Sequence, residues 1–200
     1  MANRNSKITA LILAGGRATR MGGQDKGLVQ LSGKSMVEHV LHRLEPQVDK
    51  LLINANRNLD QYAALGLKVI PDTLDDFQGP LAGMLAGLIS CDTPLLITAP
   101  CDSPMPPLDY VIRMREEMKK QQADIAVATD GKRQQPVFCL LRADLAQSMQ
   151  DFLSAGDRKI DLWFTKHNTV EVSFEDQPHA FANINSADDL ATFETLLGKS

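Results

Sequence analysis

The 200-residue chain is 44% hydrophobic and 23% charged, with a formal net charge of −4; this supports one full globular core and argues against a broad basic face for nucleic acid. No apolar run approaches the ~18 residues of a membrane-spanning helix, so no membrane association is expected. Cys91, Cys101 and Cys139 are odd in number and lack C-x-x-C spacing, which argues against a zinc or redox site and predicts buried free thiols.

The segment Met1 to Lys7 is polar and lacks the apolar stretch and small-residue cleavage site of a secretory signal, so a cytoplasmic location is expected. Ile8 and the run Leu11-Ile12-Leu13-Ala14 predict a buried strand that breaks at Gly15-Gly16. From there to Lys26, glycines allow close backbone approach while Arg17, Arg20 and Lys26 bring positive charge, the makings of a polyphosphate cradle. Lys26 follows Asp25 and precedes Gly27, which rules out a Walker A loop; adjacent Gly15 and Gly16 rule out the dinucleotide G-x-G-x-x-G fingerprint.

Met36, Val37, Val40, Leu41 and Leu44 space as one face of a helix, opened by a Ser35/Glu38 capping box and stopped by Pro46. Leu51-Leu52-Ile53-Asn54 predicts a second buried strand, and Leu67 to Ile70 a third, stopped by Pro71-Asp72. Asn54 and Asp72 thus fall at strand ends, where open α/β sheets bind ligands, although both residue types also serve plain turns. Gly79-Pro80 opens a helix striped by Leu81, Met84, Leu85, Leu88 and Ile89, and its free amides suit a phosphate or an electron-rich ring edge. Pro94 to Pro100 predicts a fourth strand ending in Cys101-Asp102-Ser103-Pro104, where the Asp102 carboxylate can hold a Mg²⁺ that also binds triphosphate oxygens.

A helix through Leu108, Val111, Ile112 and Met118 follows, then strands at Asp124 to Thr129 and Pro136 to Leu141 joined by the polar turn 131–135. This pair interrupts the βα alternation and predicts an antiparallel excursion over the crevice, where an acceptor can sit. Leu145, Met149, Phe152 and Leu153 stripe a helix ended by Gly156; Arg158 and Lys159 come next, as either an acceptor-phosphate pair or solvated charge, before the helical run Leu162-Trp163-Phe164. Val170-Glu171-Val172 alternates as a strand. Asn183 and Asn185, turn residues or acceptor contacts, precede a last helix capped by Ser186 with Asp189 and packed through Leu190, Phe193, Leu196 and Leu197.

The strand running into L-A-G-G, followed by Arg20-Met21-Gly22 and Lys26, resembles the signature of nucleotidyltransferases that activate sugars, polyols and cofactors. Together with Asn54-Ala55-Asn56-Arg57, Val69-Ile70-Pro71-Asp72, Gly79-Pro80-Leu81-Ala82-Gly83, Cys101-Asp102-Ser103-Pro104 and Asn183-Ile184-Asn185, it is similar over roughly Thr9 to Leu197 to the molybdenum cofactor guanylyltransferase family. That resemblance implies a single-domain, three-layer α/β open sheet, mostly parallel and Rossmann-like, with a GTP-binding part over about 8–104 and an acceptor-side part over about 105–200. It implies transfer of GMP from GTP to the terminal phosphate of molybdopterin, with Leu13, Ala14, Gly15, Lys26, Asn54, Asp72 and Asp102 contacting GTP, Asp102 holding Mg²⁺, and Lys26, Arg20 and Asp102 as the catalytic groups. Gly79, Arg158, Lys159, Asn183 and Asn185 are the acceptor-side candidates. Molybdopterin-supplying proteins and molybdoenzymes are the implied protein partners, with no nucleic acid, and a monomer is expected. Family members often carry His-Pro where this chain has Gln135-Pro136, which puts an acceptor role there in doubt. The competing readings are a cytidylyl-pterin or sugar-phosphate nucleotidyltransferase and a non-catalytic nucleotide or pterin carrier.

Overall fold

The computed structural model describes residues 6–16, 25–73 and 79–197. Its centre is a sheet of seven strands: β1 (Ile8–Leu13), β4 (Lys50–Asn54), β5 (Lys68–Ile70), β6 (Leu95–Pro100), β7 (Ile125–Thr129), β8 (Gln134–Arg142) and β9 (Thr169–Ser173). The spatial order is β5-β4-β1-β6-β8-β7-β9. A small hairpin, β2 (Gln30–Leu31) and β3 (Lys34–Ser35), stands apart.

Alternation along β1 explains the layering. Ala10 and Ile12 face one cluster with Val37, Val40 and Leu44 of helix α1 (Met36–Leu44) and with Tyr110, Met114 and Met118 of α4 (Tyr110–Lys120). Leu11 and Leu13 face the other, with Leu81, Met84 and Leu88 of α3 (Pro80–Ser90), Met149 and Phe152 of α5 (Ala146–Ser154), and Trp163 of α6 (Ile160–Phe164). A strand clothed on both faces reads as an unbroken apolar run, which is why Leu11 to Ala14 and Leu95 to Ala99 carry no polar alternation. The period-two geometry then divides their side chains between the two helix layers.

Local signals hold at several ends. The Ser35 amide donates to the Glu38 carboxylate at 2.7 Å, closing the expected capping box, and α1 stops before Pro46. Helix α7 (Ala187–Leu197) is capped by Ser186, whose hydroxyl accepts from the Asp189 amide at 3.1 Å, while Asp189 accepts from the amides of Asn185 and Ser186. The side chains of Leu196 and Leu197 lie outside the described residues. Cys101 and Cys139 are buried and Cys91 is half-buried, all three as free thiols.

Two expectations change. Ile89, Leu108 and Ile112 are exposed rather than packed. Leu108 precedes α4, whose inward face is Tyr110, Val111, Met114 and Met118, leaving Ile112 on its flank. The antiparallel excursion is present and its start borders the crevice, but it walls the crevice from within the sheet rather than lying over it: β8 is inserted antiparallel to β6 on one side and β7 on the other. Running against its neighbours, β8 begins at the edge where β1, β4 and β6 end. Its register jumps from Val127↔Cys139 to Ala128↔Gln135, so Pro136, Val137 and Phe138 leave the ladder as a bulge. Proline is tolerated there because it has no N–H to contribute. The buried Thr98 hydroxyl satisfies the displaced backbone, donating to the Val137 carbonyl at 2.6 Å.

Candidate functional site

A cleft of about 780 Å³ opens at the carboxyl ends of β1, β4 and β6. Leu13 pairs with Asn54 on one side and Pro100 on the other, so Gly15, Asn54 and Asp102 share one edge by register alone. Backbone bonds extend that register past the strands: Ala14 N–H donates to Asn54 O at 2.8 Å and Cys101 N–H to Leu13 O at 3.0 Å. Of the residues expected in the site, Leu13, Ala14, Gly15, Lys26, Asn54, Asp72, Gly79, Asp102 and Asn183 line the cleft. Arg17, Arg20, Met21 and Gly22 lie outside the described residues. Arg158 and Lys159 stand between α5 and α6 and are not among the lining residues; the Arg158 guanidinium donates to the Leu153 and Asp157 carbonyls.

Lys26 and Asp102, separated by 76 positions, meet with Nζ 3.0 Å from Oδ2. Asn185 completes the group by accepting from the same ammonium through its side-chain oxygen. Two links hold its segment in place: Ile184 N–H donates to Asp102 O at 2.8 Å, and the Ser103 hydroxyl donates to Asn183 Oδ1. The segment between β9 and α7 is thereby tied to the end of β6.

On the opposite wall, Asp72 is gripped by amides. Asn54 Nδ2 donates to its Oδ1 and Asn56 Nδ2 to its Oδ2, both at 2.8 Å, and the Asp72 N–H returns a 2.9 Å bond to Asn56 Oδ1. Asn54 is itself buried and donates to the Ile70 carbonyl at 3.2 Å. Glycine makes this approach feasible. A Cβ on Gly15 would fall 2.8 Å from Asn54 Oδ1, and one on Gly83 would meet Asn54 Oδ1 and come within 2.7 Å of Leu13 Cδ2.

The floor beneath Lys26 is a second polar group. The 3-10 turn Lys26–Leu28 is capped by Asp25, which also accepts from Tyr62 of the short helix α2 (Leu59–Ala63) and from Asn58. Burial, with the nearby Cys101 and Asp25, pushes the Tyr62 phenol far up, so it remains a hydrogen-bond donor. Burial likewise raises the Cys101 thiol, helped by the Asp102 charge, which keeps sulfur beside the cleft as a neutral thiol.

Among the described residues, Asp102 offers a position for a metal ion. Asp102 spends Oδ2 on Lys26, while Oδ1 has no hydrogen-bond partner among the described residues. Mg²⁺ takes one or two carboxylates and completes its shell with phosphates and water, so the Asp102 oxygen not bonded to Lys26 is of the right kind to hold it.

Asp25, Asn56 and the bulge Gln135 to Phe138 also line the cleft without having been expected there as site residues. Asn56 shares a motif with Asn54, and Asp25 neighbours Lys26, so proximity was a usable signal for both. Gln135 and Pro136, where the chain departs from the family pattern, reach the cleft only because β8 is reversed.

The geometry has counterparts. A family model described as the MobA-like NTP transferase domain matches residues 10–170. The molybdenum cofactor guanylyltransferase of Shewanella sp. (strain W3-18-1) is 52% identical over 91% of this chain and 93% of its own length, and that of Shewanella sediminis 48% identical over 96% and 98%. In fold, molybdopterin-guanine dinucleotide biosynthesis protein A from Archaeoglobus fulgidus is similar with a TM-score of 0.79 at 24% identity, covering 96% of this chain and 100% of that one. A nucleotidyl transferase from Methanothermobacter thermautotroptrophicus is similar with a TM-score of 0.75 at 20% identity, covering 98% and 99%. With relatives near half identical along almost its whole length, and the family model spanning most of it, the chain belongs to the MobA-like NTP transferases.

Proposed function

We propose that this protein is a Mg²⁺-dependent guanylyltransferase that joins GMP from GTP to the terminal phosphate of molybdopterin and releases pyrophosphate. The observation that carries the reading is the meeting of Lys26 and Asp102 at 3.0 Å in a cleft whose glycine edge begins at Gly15. Its acceptor and nucleotide follow from the names of relatives near half identical over nearly the full chain.

In the reaction an acceptor phosphate oxygen bonds to the α-phosphorus of GTP as the bond from that phosphorus to the β-bridging oxygen breaks. A phosphate monoester has its second pKa near ~6, so the attacking group is largely dianionic at neutral pH and no strong general base is required. What remains is positioning and charge neutralisation. Lys26 offsets charge at the α-phosphate and on departing pyrophosphate, and the Gly15 and Gly16 amides orient the triphosphate. Asp102 would hold Mg²⁺, which would supply neutralisation of the triphosphate charge. Leu13, Ala14, Asn54 and Asp72 contact the nucleotide. Arg20 shares the charge-offsetting role of Lys26, while Gly79 and Asn183, both lining the cleft, and Asn185, which contacts Lys26, are assigned to the acceptor side, with Arg158 and Lys159 as further cations to be tested there by substitution. The proposal extends to a cytoplasmic monomer that receives molybdopterin from, and passes the dinucleotide to, other proteins.

A panel of nucleoside triphosphates with molybdopterin and sugar phosphates, read by pyrophosphate release, tests this. GTP with molybdopterin is expected to dominate. Preference for CTP, or turnover of sugar phosphates, overturns the guanylyl reading; tight GTP binding with no pyrophosphate released in the presence of molybdopterin points instead to a carrier.

A further inference from the structure

We propose that Asp25 and Tyr62 form a positioning clamp that sets the backbone from which Lys26 reaches the triphosphate, an inference that rests on the role given to Lys26 above. Three observations converge on it. Asp25 accepts three hydrogen bonds from separate points of the chain: the Tyr62 hydroxyl at 2.6 Å, the Asn58 side-chain amide at 3.0 Å and the Gly27 N–H at 3.2 Å. All three run to protein groups, so the carboxylate is spent on holding the turn Lys26–Leu28 against α2. Second, the clamp leaves no room for a side chain at its centre, because a Cβ on Gly27 would collide with the Tyr62 hydroxyl and press on Cys101 Sγ at 3.3 Å. Third, Asn58 adopts a left-handed conformation, φ +50°, at the very residue that reaches across to Asp25. Such backbone persists where surrounding contacts over-determine it.

The consequence is a division of labour around one ammonium. Asp102 and Asn185 fix the tip of Lys26, and the Asp25–Tyr62 pair fixes its root. A lysine anchored only at its tip has a long flexible stem, and phosphoryl transfer is sensitive to displacements of an ångström. Tyr62 is fully buried, so Tyr62→Phe removes the hydroxyl while keeping the ring in its packing.

The test is a double-mutant cycle read by steady-state pyrophosphate release. Tyr62→Phe is expected to lower kcat by about tenfold with a smaller change in KM for GTP, the pattern of lost alignment rather than lost binding. In a Lys26→Met background the same substitution should have no further effect on the residual rate. Asp25→Ala should match or exceed the loss, and Asp25→Asn, which keeps one acceptor oxygen, should recover part of it. Parental kcat in folded Tyr62→Phe overturns the clamp, as does an undiminished tenfold loss in the Lys26→Met background. If Lys26→Met itself turns over like the parent, the assigned role of Lys26 has failed, and the clamp with it; a crippled Lys26→Met beside an unaffected Tyr62→Phe sinks the clamp alone.

Discussion

Asn54 and Asp72, at the ends of adjacent parallel strands, are joined amide to carboxylate at 2.8 Å, so the ends of β4 and β5 are tied into one wall of the cleft. Asn54 also donates to the Ile70 carbonyl and is buried, which makes it both a structural post and a surface of the site. Asn54→Ala strips Asp72 Oδ1 of its donor and should cost about 1–3 kcal/mol of stability by urea unfolding. The same variant should raise KM for GTP, since Asp72 loses its fixed orientation.

Lys26→Ala and Asp102→Ala should each abolish measurable turnover or reduce it by at least about 10²–10³ while leaving the circular-dichroism spectrum parental. Near-parental pyrophosphate release by a folded Asp102→Ala protein would remove Asp102 as the Mg²⁺ carboxylate.

Gly83→Ala sets two effects against each other. Alanine gains about 1 kcal/mol of helix propensity over glycine, but its Cβ would strike Asn54 Oδ1 and sit 2.7 Å from Leu13 Cδ2. Overpacking of this kind costs about 1–3 kcal/mol, so a net loss is expected in thermal unfolding. Gly16→Ala is the contrast, because nothing among the described residues lies within 4 Å of where its Cβ would stand; its melting temperature should stay parental whatever happens to GTP affinity.

Thr98→Val keeps the volume and deletes the hydroxyl that serves the β8 bulge. With the Val137 carbonyl left without its 2.6 Å partner, stability should fall by about 1–3 kcal/mol in denaturant titration.

Burial pushes the Cys139 thiol from 9.0 up to about 12, and Cys101 shifts in the same direction. Because the folded values lie above the unfolded ones, this contribution to stability is fully present below about pH 9 and is lost as pH climbs through the folded values. Denaturant midpoints should therefore fall on the alkaline side, and less so in Cys139→Ala. A thiol reagent added to the native protein should label half-buried Cys91 before either of the others.

Much of this architecture was legible because its determinants are local. The runs ending at Ala14, Asn54, Ile70 and Pro100 mark buried strands, and a parallel sheet brings their carboxyl ends to one edge, so Gly15, Asn54, Asp72 and Asp102 could be grouped before any coordinates. Caps at Ser35 and Ser186 were equally plain, because each pairs residues only three positions apart. Illegible were features decided by distant partners. Nothing in Gln135 to Leu141 says whether that strand lies on the sheet or within it, because insertion depends on pairing with both β6 and β7. Lys26 and Asn185 stand 159 positions apart, and the hydroxyl of Tyr62 finds Asp25 only through the fold. Helical spacing also overstated the buried face of α4, assigning Ile112 inward where Tyr110 and Met114 already fill the layer.

The reversed strand gives the cleft two kinds of wall. On the nucleotide half Leu13, Asn54 and Pro100 end paired strands, so a change in chain length there would disturb several ladders at once. On the other half the wall is the start of β8, reached through the turn 130–133 and already out of register. Residues could be gained or exchanged at that hairpin tip while the pairing beyond Cys139 stayed in step, leaving one side of the mouth free to diversify as the other is held constant.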